Sequence, residues 1–202
     1  MNPNDIHISK TLSWLLRHAA VKEGFPLQSD GFIKVDDLLK HRQLKKATID
    51  DIKRVVECND KKRFKLVLSA DDVYLIRANQ GHSIQAVNNL ELTPILTAAD
   101  APVVVHGTYY KFWNSIRKTG LNRMNRLHIH FATGIHESVV SGIRKDCELY
   151  IYIDLDKSLL DNLTFYLSSN GVVLSPGDAD GLILPRYFLR VVDKETGNIL
   201  KF

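Results

Sequence analysis

The chain has 202 residues, 45% of them apolar, with 27 Lys and Arg against 23 Asp and Glu for a formal charge of +4. That length holds one large domain or two small ones with a real core, and it carries neither repeats nor low-complexity tracts. No apolar run approaches the ~20 residues that span a bilayer, which excludes a transmembrane helix. The basic excess suits an anionic partner as well as it suits a merely soluble surface. Cys58 and Cys147 lie far apart, without metal-ligand spacing. With no secretory signal at the start, they read as reduced thiols of an intracellular, cytoplasmic protein.

Ile8, Leu12, Leu15 and Leu16 recur at helical spacing, with Ser9 near the expected start and Arg17-His18 in the last turn. Cations there complement the helix dipole. Asp30-Gly31 marks a turn, residues 32–35 a short strand, and Asp36-Asp37 the first turn of a second helix. Thr48, with Asp51 three residues on, opens a third helix as a capping box. Residues 64–68 and 73–76 read as a hairpin joined by 69–72. Three helices, a small strand and a closing hairpin make the element order of a winged helix, a fold often used on nucleic acid. Lys45-Lys46, Lys53-Arg54 and Lys61-Lys62-Arg63 are either a solvated face or a phosphate footprint, with Asp50, Asp51 and Asp60 mixed among them.

Residues 84–102, interrupted by Pro94 and Pro102, read as a connection. Val103-Val104-Val105 then reads as a buried strand ending in His106-Gly107-Thr108, and residues 110–118 as a helix closing at Gly120. Short strands follow at 127–132, 148–154, 171–174 and 188–192. The expected class is therefore α+β: an N-terminal winged-helix lobe over 1–95 and a strand-rich lobe over 96–202, with antiparallel-rich sheets. No GxGxxG follows a strand and no GxxxxGK[ST] occurs, which argues against a Rossmann fold and a P-loop.

Chemistry gathers where apolar elements end in polar clusters. These are Leu16-Arg17-His18, then Ile76-Arg77-Ala78-Asn79-Gln80-Gly81-His82-Ser83, then Val105-His106-Gly107-Thr108. A fourth is Ser141-Gly142-Ile143-Arg144, placed on a helix after Gly134. Guanidinium forks match phosphate oxygens two at a time. Converging arginines with a histidine would suit phosphoryl transfer. Taken singly, each arginine reads as a surface ion pair and each histidine as a satisfied core residue. His128, His130, His136, Cys147 and Glu148 lack the second spaced ligand pair of a zinc site. No G-x-S-x-G nucleophile elbow is present.

The segments SKTLSWLLRH (9–18), DGFIKVDDLL (30–39), IRANQGHS (76–83), VVHGTYYKFWNSIRKTGL (104–121), HIHFATG (128–134), SGIRKDCELYIYID (141–154) and LSSNGVVLSPGDADGLILPRYF (167–188) resemble the NAD-dependent RNA 2′-phosphotransferases, in matching order along nearly the whole chain. The resemblance implies a winged-helix RNA-binding lobe joined to an ADP-ribosyltransferase-like lobe that binds NAD. It implies removal of an internal RNA 2′-phosphate of the tRNA splice-junction type. The products would be RNA with a 2′-hydroxyl, ADP-ribose 1″,2″-cyclic phosphate and nicotinamide. NAD would be consumed, and no metal is required.

Motif for motif, the resemblance implies a catalytic group of Arg17, His18, Arg77 and Arg144. The arginines would hold the transferring phosphate, and His18 would donate a hydrogen bond or act as acid and base. The NAD side would be His106, Gly107, Thr108, His130 and Thr133. His130 stands where the wider ADP-ribosyltransferases have a tyrosine. Val172-Val173 stand where protein-modifying members have a glutamate, which argues against ordinary protein ADP-ribosylation. Ser175 replaces an expected threonine, and the AAVKEG segment after His18 lacks a common proline. The partners implied are RNA and NAD, without a membrane, for a monomeric protein. Two other readings stay open: a nucleic-acid binder that senses NAD without turnover, and an ADP-ribosyltransferase acting on nucleic-acid ends.

Overall fold

A computed structural model describes residues 2–135 and 142–202. Contacts divide the chain into two compact units, one running to Glu91 and one from Leu92 to Phe202. The class is mixed α and β, with a large antiparallel sheet and few helices.

The first unit opens with α1 (Pro3–Trp14), earlier than its apolar spacing suggested. Asn2 is the N-cap: its side chain accepts from the Asp5 N–H at 2.8 Å, and the Asp5 carboxylate accepts from the Asn2 N–H at 3.3 Å. That capping box, with Pro3 in the first turn, starts the helix, so Ser9 lies inside it and not at its start. The predicted apolar stripe holds: Ile8, Leu12, Leu15 and Leu16 are all buried in one core. The helix then widens into a π-turn, Leu15–Ala19, closed by the Ala20 N–H on the Leu15 carbonyl at 2.8 Å.

Next come β1 (Ile33–Lys34), α2 (Val35–Leu39) and α3 (Ile49–Glu57). The expected capping box of Thr48 and Asp51 is in place on α3. The hairpin is β2 (Phe64–Leu68) and β3 (Tyr74–Ala78), with β1 on the other edge of β3. Strand β3 thus runs past Ile76, the predicted end, and carries Arg77 and Ala78 within the ladder opposite Lys65 and Phe64.

The second unit begins with a strand where a connection was expected. Strand β4 (Leu92–Ile95) pairs with β9 (Phe165–Ser168) and forms the sheet edge. Pro94 is tolerated there because an edge strand has one side without ladder bonds. Strand β5 (Val105–Thr108) is followed by α4 (Tyr110–Thr119), β6 (Leu121–Asn122), β7 (Ile129–Ala132) and β8 (Leu149–Ile153). Then come α5 (Leu155–Leu160), β9, β10 (Val172–Ser175), β11 (Leu182–Ile183), β12 (Phe188–Asp193) and β13 (Ile199–Leu200). Among the described residues, eight strands form one antiparallel sheet in the order β13-β12-β8-β5-β7-β10-β9-β4. Strand β5 is therefore interior to the sheet; it contains His106, Gly107 and Thr108 as expected and begins at Val105, later than Val103. Phe131, Leu149, Ile151, Phe165 and Val173 fill the core beneath it. Among the described residues no helix is long and apolar enough to cross a membrane.

Candidate active site

In the first unit the structure brings Arg17, His18 and the RANQGHS loop together. The Arg17 carbonyl accepts the Ser83 N–H at 2.9 Å. The Ser83 hydroxyl donates to the same carbonyl at 3.4 Å, which leaves its oxygen to accept from His18 Nδ1 at 2.9 Å. His18 Nε2 is then the nitrogen through which a proton would be gained or lost. The Arg17 side chain lies across Gly81, whose φ is +92°. A Cβ at Gly81 would stand 3.2 Å from Arg17 Nε and 3.4 Å from its Cζ. The backbone angle therefore favours glycine, and a Cβ there would crowd the guanidinium that rests on it.

The loop itself is buried. Asn79, Gln80 and His82 are all shielded, and Asn79 ties the loop down through its N–H to the Arg63 carbonyl at 2.8 Å and its amide to the Lys62 carbonyl at 2.7 Å. Both of these bonds run to backbone carbonyls of the segment just before β2.

Arg77 is 4% exposed. Its Nη2 donates to Glu91 at 2.7 Å, its Nη1 to the Asp30 carbonyl at 3.3 Å, and its guanidinium lies 4.8 Å from the Phe32 ring centre. Lys65 binds the same Glu91 oxygen at 2.6 Å. The Lys65 hydrogen bond, then the Lys65 and Arg77 charges, hold the Glu91 carboxyl below its usual range. Glu91 was not among the predicted site residues. Nothing local marks it, because it meets Arg77 only through the fold.

In the second unit His106 lies on β5. Its Nδ1 lies 2.9 Å from the His130 carbonyl, which can only accept, so Nδ1 carries the proton. Burial is the main cause that lowers its proton affinity, and the charges of Arg144 and Arg126 add to it, against the carbonyl bond. A neutral His106 with an accepting Nε2 follows. Arg126 was also missed from sequence, where it is one of several scattered cations. His130 is half-buried on β7, Thr108 is buried and Thr133 is exposed just after β7.

Gly107 allows close packing. A Cβ there would lie 2.4 Å from Ile143 Cγ1 and 2.8 Å from Cys147 Sγ. The segment carrying Arg144 is not helical over residues 142–147, contrary to the expectation, while Ser141 and His136 lie outside the described residues. Arg144 is exposed, with Nη1 3.5 Å from the Tyr109 hydroxyl, which in turn donates to Asp146 at 2.9 Å. Among the described residues no group of three His, Cys, Asp or Glu side chains could hold a metal ion. Val172 and Val173 are both fully buried opposite Ala132 and Phe131.

Guanidinium groups held on rigid elements, with a histidine locked beside one of them, define the equipment of a group-transfer enzyme acting on phosphate. The comparisons agree. Residues 3–177 match the RNA 2'-phosphotransferase, Tpt1 / KptA family. The chain is 50% identical over 191 residues to tRNA 2'-phosphotransferase 1 of Danio rerio, covering 92% of this chain and 84% of that protein. It is 45% identical over 188 residues to tRNA 2'-phosphotransferase 1 of Homo sapiens, covering 91% and 74%. It is 39% identical over 180 residues to the tRNA 2'-phosphotransferase of Saccharomyces cerevisiae, covering 85% and 78%. This chain belongs to the RNA 2'-phosphotransferase family.

Proposed function

We propose that the protein removes an internal 2′-phosphate from RNA, of the tRNA splice-junction type, by transferring it to NAD. In this reading the first unit is a winged-helix lobe that binds RNA, and the second is an ADP-ribosyltransferase-like lobe that binds NAD. The observation that carries the reading is the lock of Arg17 and His18 onto Gly81 and Ser83, at the motif where family membership and local geometry coincide.

The chemistry balances without redox change. A 2′-phosphate oxygen bonds to the anomeric carbon of the nicotinamide ribose as the bond to nicotinamide breaks. The ribose 2″-hydroxyl then bonds to phosphorus and the bond to the RNA 2′-oxygen breaks. The proton lost by the 2″-hydroxyl ends on the RNA 2′-hydroxyl. Arg17, Arg77 and Arg144 neutralise the phosphate oxygens as charge shifts among them. His18 is the acid and base for the moving proton.

His106 fits the NAD side. An unprotonated Nε2 accepts from a ribose hydroxyl, and a neutral ring does not repel the positively charged nicotinamide. Gly107, Thr108, His130 and Thr133 complete that group. The proposed setting is intracellular, with the protein acting as a monomer.

The test is incubation with NAD and a short RNA bearing one internal 2′-phosphate, followed by product masses. Loss of the phosphate together with a cyclic-phosphate ADP-ribose and nicotinamide is expected. Intact RNA with NAD bound but unconsumed would make the chain a sensor. Nicotinamide release without the cyclic phosphate would make it an ADP-ribosyltransferase.

A further inference from the structure

Two clefts flank the exposed side of α1. The first, about 520 Å³, is lined by Lys10, Ser13, Trp14, Arg17, His18 and Arg63 among others. The second, about 400 Å³, shares Lys10 and Trp14 and adds Arg42. Among the described residues no carboxylate lines either one. Lys10, Trp14 and Arg17 are spaced at i, i+4 and i+7, so one helix face carries them in a row. From Lys10 to Arg17 that row runs about 10 Å along the axis.

Two of the basic groups singled out from sequence, Arg54 and Lys53, are already engaged. Arg54 is consumed by Asp5 at 2.8 Å and by Asp51 at 2.5 Å, and Lys53 lies over the Tyr74 ring with Asp50 at 3.5 Å. Arg63, also singled out from sequence, lines the first cleft together with Lys10 and Arg17.

Arg63 is the most constrained of these cations. It donates to the Asn59 side chain at 3.2 Å, a neutral partner. Burial lowers its proton affinity, opposed by the charge of Asp60. An anion seated in the cleft would offset that desolvation. Trp14 leaves a large indole 39% exposed at the ridge shared by the two clefts. Cations flanking an exposed aromatic ring are the components of a single-stranded nucleic-acid platform, in which bases stack while phosphates are neutralised.

We propose that this face of α1 is the track for the RNA flanking the phosphorylated nucleotide. A base stacks on Trp14, and the neighbouring phosphates are met by Lys10, Arg63 and Arg42. The inference rests on the RNA reading above and extends it. The first cleft contains Arg17 and His18, so a nucleotide whose 2′-phosphate meets that pair places its chain neighbours over Lys10 and Trp14.

The test has two arms. In the first, the full-length chain binds a labelled ten-nucleotide single-stranded RNA without any 2′-phosphate, followed by fluorescence anisotropy across a salt series. Trp14→Ala weakens binding about 10-fold or more, and Trp14→Phe restores most of it. Lys10→Gln and Arg42→Gln each lower the slope of log affinity against log salt by about 1. Unchanged affinity and slope in all these variants would overturn the track. Loss in the cation variants with none in Trp14→Ala would overturn the stacking and leave a general anion patch.

In the second arm, turnover is compared on a 2′-phosphorylated ten-mer and a 2′-phosphorylated dinucleotide. Trp14→Ala raises KM on the ten-mer and leaves the dinucleotide unaltered. Equal effects on both would place Trp14 in the reacting site and defeat the proposal. A wild-type protein inactive on both substrates would defeat the phosphotransferase reading alone, because the binding arm still decides the track.

Discussion

The two units hold their arginines in opposite ways. Arg77 of the first is almost wholly buried, fixed by Glu91, the Asp30 carbonyl and the Phe32 ring. Arg144 of the second is exposed, with the Tyr109 hydroxyl at 3.5 Å and the Tyr109 ring centre at 5.9 Å. A buried charge persists only when it is paired and hydrogen-bonded, so Arg77 has a structural role beside the one proposed for it in the reaction. Arg144 carries no such structural burden. The histidines are likewise contrasted: His18 is exposed and tied to Ser83, whereas His106 is half-buried, tied to the His130 carbonyl and lowered in proton affinity.

This contrast can be broken most directly at the arginines. Arg77→Gln is expected to lower turnover about 10³-fold, as for loss of a charge-stabilising donor, and also to lower the melting temperature of the first unit. Arg144→Ala is expected to lose a similar share of activity with an unshifted melting curve. Equal thermal losses in the two variants would erase the distinction, and unchanged turnover in Arg144→Ala would remove that residue from the site.

Gly81→Ala comes next. It forces a side chain into the left-handed region and onto the Arg17 guanidinium. Turnover should fall roughly 10²-fold, the cost of a misplaced catalytic group, while NAD affinity by calorimetry stays near wild type. Weakened NAD binding would show that the loop serves the wrong function.

In the second unit the corresponding glycine acts on stability. Gly107→Ala brings a Cβ against Ile143 and Cys147. It should cost about 1–3 kcal/mol, the usual penalty for overpacking, measured by denaturant unfolding. A neutral result would mean that the segment near Ile143 yields without cost.

Thr48→Ala removes the cap of α3 and should cost about 1 kcal/mol, with kcat intact. A loss of kcat at full stability would link α3 to catalysis.

The smallest effect is that of pH on His106. Its folded proton affinity is depressed below the unfolded value of about 6.5. The unfolded chain therefore binds more protons as pH falls below about 6.5, and stability is lost in that direction. It is fully present above that value. Thermal melts between pH 7.5 and 5 should show the decline, and His106→Asn should flatten it. An identical decline in that variant would assign the effect to another group.

Much of this was written locally in the chain. Ile8, Leu12, Leu15 and Leu16 announced a buried helical stripe because burial follows the 3.6-residue period. Thr48 and Asp51 announced a helix start because a cap is completed within four residues. Arg17 and His18 were legible as cations closing an apolar helix, whereas Arg77, expected after a strand, lies within β3, and Arg144, expected on a helix, lies on a non-helical segment.

Tertiary structure alone decided the rest. Strand β4 was hidden in an apparent connection because its partner β9 is far along the chain and Pro94 masks it. Glu91 acquired its role only by meeting Arg77 and Lys65 across the fold. The π-turn at Leu15–Ala19 has no composition of its own. It arises where the helix is closed by a longer bond and the Arg17 carbonyl is taken by Ser83, a partner no local pattern could supply. Periodicity and capping depend on neighbours in sequence, and the sequence determined them. Ion pairs, edge strands and the seating of Arg17 on Gly81 depend on neighbours in space, which exist only once the chain has folded.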